Sequence, residues 1–186
     1  MPFFKNYLFA VLISFSIPTL SVSTPTRVLN AWELPPLTLN DLNGKQHSLH
    51  EWNNNVIILN FWATWCGPCQ IETPYLMKFQ ARYGASGLQV IGVGLDEKRK
   101  LANFSRTLGI NYPILHADPN QESQLLRLWG NAMGTLPFTV IIDRNGAVIF
   151  SQSGIFDDEA FNTYVLPLLK GNRAASFPTS NGTNTR

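Results

Sequence analysis

The chain has 186 residues, 45% of them hydrophobic, which is enough for one globular domain with a substantial core. Its formal net charge is only +2, so composition gives no reason to expect nucleic acid or an acidic membrane as a partner. Its two cysteines cannot build a framework of structural disulfides. That pair is therefore an active site, a metal site or without a role.

Residues 1–23 have the pattern of an export signal. Lys5 gives a short positive region, Tyr7 to Ile17 is apolar, and Ser21 to Ser23 offers small residues for cleavage. The apolar run is shorter than the roughly 20 residues that a membrane-spanning helix needs. We predict a cleaved signal peptide, with an uncleaved anchor as the alternative. The mature chain would then be periplasmic or otherwise exported, where disulfides form.

The first elements after this segment are predicted to be short. Leu37 to Leu39, followed by Asn43-Gly44, indicates a strand and a tight turn, because Asn-Gly provides the positive φ angles that such turns need. Ser48 is placed to cap a brief helical turn. Val56 to Phe61 is a continuous apolar run, which is typical of a strand buried on both faces.

Three helices are predicted from apolar residues at helical spacing. These residues are Leu76, Phe79 and Tyr83 in the first helix, Leu101, Phe104 and Leu108 in the second, and Leu125, Leu128 and Trp129 in the third. Pro74 should kink the first helix, and Gly109 should end the second. A second buried strand, Leu88 to Val93, lies between these two helices.

The C-terminal part reads as a hairpin and a last helix. Phe138 to Ile142 is a strong strand pattern, and Ala147 to Phe150 returns antiparallel after a turn. Pro167 should shorten the last helix, and the polar residues 171–186 are predicted to be a disordered tail. Strands that alternate with helices predict a single α/β domain over residues 31–170. Its central mixed sheet would be flanked by helices on both faces.

The two cysteines stand as Cys66-Gly67-Pro68-Cys69, between the apolar strand and the first helix. Two thiols three positions apart on a first helical turn can form a reversible disulfide. The helix N-terminus favours the thiolate of Cys66, which makes it the predicted nucleophile, with Cys69 as the resolving thiol. The histidines have no spacing that converges on the pair, so we predict no metal site and no cofactor besides the redox-active disulfide.

Two overlapping motifs carry a resemblance to a known family. Trp65 to Cys69 is identical to the active-site motif of thioredoxins. The longer string Asn60 to Cys66, with Glu72 and Pro74 downstream, resembles the exported TlpA/ResA branch of that superfamily. The resemblance extends from about Leu34 to Leu169. It implies a thioredoxin-like fold, disulfide-containing substrate proteins, and a thiol protein of the membrane as electron donor.

The resemblance also assigns residues to the substrate groove. It implies that Leu136-Pro137 is a cis peptide facing the disulfide and that Leu136 lines the groove, whereas a trans proline on an edge strand is the alternative. Trp65 would be an aromatic surface beside the sulfur, against simple core packing. Gly67 and Pro68 complete the predicted binding residues.

Glu72 has a predicted role in proton transfer that also depends on the resemblance. In the TlpA/ResA branch a glutamate at this place handles protons for the inner cysteine, here Cys69. Asn60 stands where ordinary thioredoxins have a buried aspartate, and an amide cannot accept that proton. The alternative for Glu72 is a solvated glutamate on the helix surface.

The Gly67-Pro68 pair favours a reductase over an oxidase. Proline has no N–H to donate to sulfur, and neither residue is cationic, so the thiolate is stabilised less than it would be beside a histidine. The same pair occurs in reducing thioredoxins. The resemblance further suggests cytochrome c maturation, through reduction of apocytochrome cysteines before haem attachment.

Two other functions are alternatives. The first is a thiol peroxidase. Such enzymes have a motif with Pro seven and Thr three positions before the reactive cysteine, and this chain has Leu59 and Ala63 there instead. The second is a binding protein whose reduced pair holds Cu(I) for an oxidase, with Met77 or Met133 assisting. We expect a monomer with no nucleic-acid partner.

Overall fold

The computed structural model describes residues 34–171. The predicted signal peptide, residues 1–23, and the tail from residue 172 onward lie outside the described residues. Within residues 34–171, none of the helices has both the length and the apolar character that a membrane span requires.

One mixed sheet of seven strands forms the centre of the fold, in the order β2-β1-β5-β4-β3-β6-β7. The strands are β1 Thr38–Asp41, β2 Gln46–Ser48, β3 Val56–Trp62, β4 Leu88–Gly94, β5 Ile114–His116, β6 Phe138–Ile142 and β7 Val148–Ser153. β3, β4 and β5 are parallel, whereas the four remaining pairings are antiparallel. This confirms the predicted mixed sheet.

The helices cover both faces of the sheet. They are α1 Gly67–Tyr83, α2 Lys98–Leu108, α3 Glu122–Leu128, α4 Asp158–Tyr164 and α5 Leu166–Leu169. Val56 and Ile58 of β3 lie in a core that includes residues of α1, α2, α4 and α5. Ile57 and Leu59, which point the other way, lie in a second core with residues of α3. The continuous apolar run was therefore a correct sign of burial on both faces.

Several details differ from the predictions. Leu108 is exposed, because it is the last residue of α2. Leu128 is also exposed, since the seven-residue helix α3 buries Leu126 rather than Leu128. The first predicted helix begins at Gly67 and continues past Pro74, the position of the predicted kink. Pro167 stands in the first turn of α5, and the single last helix that it was predicted to shorten is two helices, α4 and α5.

Two of the three histidines lie in strands rather than on the exposed surface. His50 is exposed, but His47 and His116 lie in β2 and β5. His47 Nδ1 lies 2.9 Å from a carboxylate oxygen of Glu51, and its ring stacks on Trp52. His47 therefore helps to fasten the β2 end of the sheet.

Candidate active site

The disulfide between Cys66 and Cys69 lies at the junction of β3 and α1. β3 ends at Trp62, and a turn closed by the Cys66 N–H donating to the Ala63 carbonyl oxygen at 3.3 Å leads into the helix. Cys66 is the N-cap of α1 and has extended backbone angles, while Gly67 is the first helical residue. The local sequence therefore places one sulfur at the helix N-terminus and the other one turn inside.

The helix N-terminus acts directly on Cys66. Its Sγ accepts a hydrogen bond from the Cys69 backbone N–H at 3.3 Å, one of the free donors that begin every α-helix. Cys66 is 5% and Cys69 2% exposed in this disulfide form. Both cysteines are therefore buried in this state, in which they are bonded to each other and packed in one core.

The surface next to the disulfide is apolar and uncharged. Trp65 is 65% exposed, which rules out the core-packing alternative for that side chain, and Gly67 and Pro68 are exposed beside it. The two preceding aromatic residues, Phe61 and Trp62, are buried as predicted. An aromatic side chain that is held outside the core next to a sulfur is available for contact with another polypeptide.

The Leu136-Pro137 peptide bond is cis, as the resemblance implies. Pro137 directly precedes β6, which is an inner strand between β3 and β7, so the edge-strand alternative is wrong. Leu136 is half-buried and packs against the core cluster that contains both cysteines. The fold thus places the predicted groove residue against the same core as the redox pair, although about 70 residues of sequence separate them.

Glu72 is buried, with only 1% of its surface exposed, so the solvated alternative is wrong. Its Oε1 accepts three hydrogen bonds, from Asn60 Nδ2 at 3.2 Å, Thr139 Oγ1 at 3.1 Å and the Phe156 N–H at 3.2 Å. Asn60 also donates to Thr139 Oγ1 at 3.0 Å. The position that holds an aspartate in ordinary thioredoxins is therefore a hydrogen-bond donor to Glu72 here.

Burial raises the pKa of Glu72 to about 8, although the hydrogen bonds from Thr139, Phe156 and Asn60 oppose this. The other carboxyl oxygen, Oε2, has no hydrogen-bond partner among the described residues, which is consistent with a protonated oxygen there. Glu72 follows Cys69 by three positions in α1, so both side chains lie on one face of the helix. A buried carboxyl group with a raised pKa thus lies about one helical turn from the inner cysteine.

A second polar cluster, formed by Thr64 and Asp96, was not predicted from the sequence. Thr64 Oγ1 donates to Asp96 Oδ2, and both residues follow the carboxyl end of a strand. β3 and β4 are parallel, with Trp62 opposite Gly94, so these ends meet at one edge of the sheet. Polar residues shortly after two buried parallel strands were the signal that could have revealed this pair.

Among residues 34–171, no three His, Cys, Asp or Glu side chains are grouped so that they could hold a metal ion.

Comparison with known proteins agrees with this geometry. The profile of the Redoxin family matches residues 29–165. The chain is 32% identical over 137 residues to the thiol-disulfide oxidoreductase ResA of Geobacillus kaustophilus, which covers 73% of this chain and 76% of that protein. It is also 35% identical over 115 residues to ResA of Geobacillus thermodenitrificans. That alignment covers 61% of this chain and 63% of the relative, slightly under two thirds.

A solved structure gives the same family. The crystal structure assigned as a thiol:disulfide interchange protein DsbE from Chlorobium tepidum superposes with a TM-score of 0.66 at 32% sequence identity, covering 74% of this chain and 96% of that one. The fold and the aligned sequence therefore agree over the domain that carries the cysteine pair. The chain belongs to the Redoxin family, among the thioredoxin-like thiol–disulfide oxidoreductases of the ResA/TlpA type.

Proposed function

We propose that this chain is an exported reductase of protein disulfides, in which Cys66 attacks, Cys69 resolves and Glu72 carries the proton of Cys69. The observation that supports this most strongly is the position of Cys66 Sγ, which accepts the Cys69 N–H at the start of α1. The same donor would stabilise a thiolate in the reduced protein. A thiolate is the form that attacks disulfides.

The first step is attack of the Cys66 thiolate on one sulfur of a substrate disulfide. A bond forms between Cys66 and that sulfur, the substrate S–S bond breaks, and the second substrate sulfur leaves as a thiolate. Trp65, Leu136 and Pro137 would hold the substrate chain beside the pair, as the uncharged surface around them allows. The enzyme and its substrate are then joined by a mixed disulfide.

The second step is resolution by Cys69. Its thiol transfers a proton to the Glu72 carboxylate and attacks Cys66 Sγ, so that the bond to the substrate breaks and the reduced substrate leaves. Two electrons have passed from the cysteine pair to the substrate. When a donor thiol protein reduces the pair again, neutral Glu72 returns its proton to Cys69 as that sulfur is released. A pKa of about 8 suits a group that both accepts and donates a proton near neutral pH.

The N-terminal pattern of residues 1–23 and the TlpA/ResA resemblance support the cellular part of the proposal. The protein would act in the periplasm or another exported location, receive electrons from a thiol protein of the membrane and need no organic cofactor or metal. Reduction of apocytochrome cysteines is the proposed pathway. The peroxidase alternative has no support, since Leu59 and Ala63 are buried apolar residues. For the Cu(I) alternative, Met133 is exposed, and Met77 packs against the core cluster of the cysteines with no described contact to either sulfur.

The direction of exchange has a direct test. We expect a reduction potential of about −270 mV, the value of thioredoxin, when the pair is equilibrated with dithiothreitol buffers and the two forms are separated after alkylation. The matched variant Pro68→His places a cation-forming side chain beside the sulfur, so its potential should be higher. A wild-type potential near about −120 mV, that of a strong oxidant, would contradict the reductase and favour an oxidase.

A further inference from the structure

Thr64 is held from two directions within the turn that joins β3 to α1. Its hydroxyl donates to Asp96 Oδ2, and its backbone N–H also interacts with the Asp96 carboxylate. Its carbonyl oxygen accepts from Gln70 Nε2 at 2.8 Å. The turn runs from Ala63 to Cys66 and is closed by the hydrogen bond between the backbones of these two residues. Thr64 therefore fastens the segment that ends at the reactive cysteine.

Asp96 is a buried anion whose two oxygens are both occupied. Only 5% of the residue is exposed, and Oδ1 accepts the Glu97 N–H at 2.7 Å and lies 3.7 Å from Lys100 Nζ. Although burial raises the pKa of Asp96, the hydrogen bonds from Thr64 and Glu97 outweigh it and hold that pKa below its ordinary value. The carboxylate is therefore charged at neutral pH.

The location of this carboxylate indicates what it does. Trp62 and Gly94 are paired residues at the ends of β3 and β4, and the Leu95 N–H donates to the Trp62 carbonyl oxygen at 2.8 Å. Just beyond this backbone bond, the Thr64–Asp96 contact joins the two segments again. Burial of a charge is costly unless the group is well hydrogen-bonded. Here Oδ2 accepts from the turn that presents Cys66, while Oδ1 accepts from Glu97 at the start of α2.

We propose that Asp96 is a positioning residue for Cys66: it holds Thr64, and through Thr64 it keeps the turn in the conformation that places the sulfur at the N-terminus of α1. The inference rests on the proposed function, because Asp96 takes no part in the chemistry and acts only through Cys66 as the nucleophile. Loss of the Thr64 hydroxyl should let the sulfur move away from the Cys69 N–H, which reduces the stabilisation of the thiolate.

The test is Thr64→Val, which removes the hydroxyl at nearly constant volume and leaves the charge of Asp96 in place. We expect alkylation of reduced Cys66 by iodoacetamide at pH 7 to slow by about two- to fivefold, the size of a lost helix-terminus interaction. The midpoint of the alkylation rate against pH should move upward. Thr64→Ser should restore both values, because it retains the hydroxyl. Thr163→Val, at an exposed threonine of α4, is the matched control and should react like the wild type.

A merely structural role would give a different result. If Thr64→Val lowers the unfolding temperature but is alkylated at the wild-type rate with the wild-type midpoint, the proposal is overturned. Thr64→Ala, at the same half-buried position, is measured in the same way should the valine variant not fold. Failure of the positioning role and failure of the proposed function give different results. A wild-type protein that cannot reduce insulin disulfides removes the proposed function, whereas an active wild type with an unaffected Thr64→Val removes only the positioning role.

Discussion

The Cys69→Ser variant is expected to accumulate mixed disulfides between Cys66 and its substrate proteins. Cys69 lies three residues from Cys66 and already bonds to it, so its removal takes away a resolving thiol that is held in place. Resolution then depends on thiols from solution, and turnover of insulin disulfides should fall by roughly two orders of magnitude or more. The covalent complexes are isolated without reductant and identified by mass spectrometry, which also names the pathway.

The matched control for trapping is Cys66→Ser, which retains Cys69 but lacks the sulfur at the helix N-terminus. This variant should form few complexes, and the double variant should form none. Equal trapping by the two single variants would mean that the roles of Cys66 and Cys69 are not distinct. Apocytochromes among the trapped proteins would support the proposed pathway, and their absence would remove it while leaving the exchange reaction intact.

Replacing Glu72 with glutamine is expected to change how the stability of the protein depends on pH. The carboxyl has an ordinary pKa of 4.5 when unfolded and a pKa of about 8 when folded, so the folded state binds the extra proton between these values. The contribution of this proton to the free energy of unfolding is therefore complete below about pH 4.5 and is lost as the pH rises towards 8. The loss is on the order of 5 kcal/mol, because one pKa unit corresponds to about 1.4 kcal/mol.

Glutamine does not ionise, so the Glu72→Gln variant should escape this loss. Relative to the wild type it should gain stability steadily between pH 5 and 8 in denaturant unfolding of the disulfide form. Glu159→Gln, at an exposed glutamate of α4, is the control and should follow the wild-type curve. Parallel curves for Glu72→Gln and the wild type would contradict the raised pKa.

The same variant examines the chemical role of Glu72. Without a proton carrier beside Cys69, disulfide reduction should slow on the order of 10²-fold, the usual contribution of a general acid–base group. The pH–rate profile should also lose its ionisation near 8. An unchanged rate and profile would show that Glu72 is a buried structural carboxyl with no part in exchange.

The elements that the sequence predicted well are those determined by local pattern. The uninterrupted run from Val56 to Phe61 predicts a strand buried on both faces, and the fold has it as β3. Leu108 illustrates the limit of periodicity, since it has the helical spacing of a core residue but is exposed as the last residue of α2. In the same way, the pattern of α3 did not distinguish Leu128, which is exposed, from Leu126, which is buried.

The candidate site was predictable only where a motif carried it. The cysteine pair and the cis peptide before Pro137 followed from local sequence and resemblance. The environment of Glu72 did not, because its partners Thr139 and Phe156 are 67 and 84 positions away. Such contacts are made by the register of β6 against β3 and by the loop after β7, which sequence spacing does not encode.

The central claim is that the sulfur of Cys66, once reduced, is an accessible thiolate because it caps α1. The most direct measurement is the alkylation rate of reduced Cys66 against pH in the Cys69→Ser variant. We expect a midpoint at least about one pH unit below the roughly 8.5 of a free thiol, and faster reaction than free cysteine at pH 7. A midpoint at the value of free cysteine, or a sulfur that iodoacetamide does not reach in the folded protein, would contradict the account.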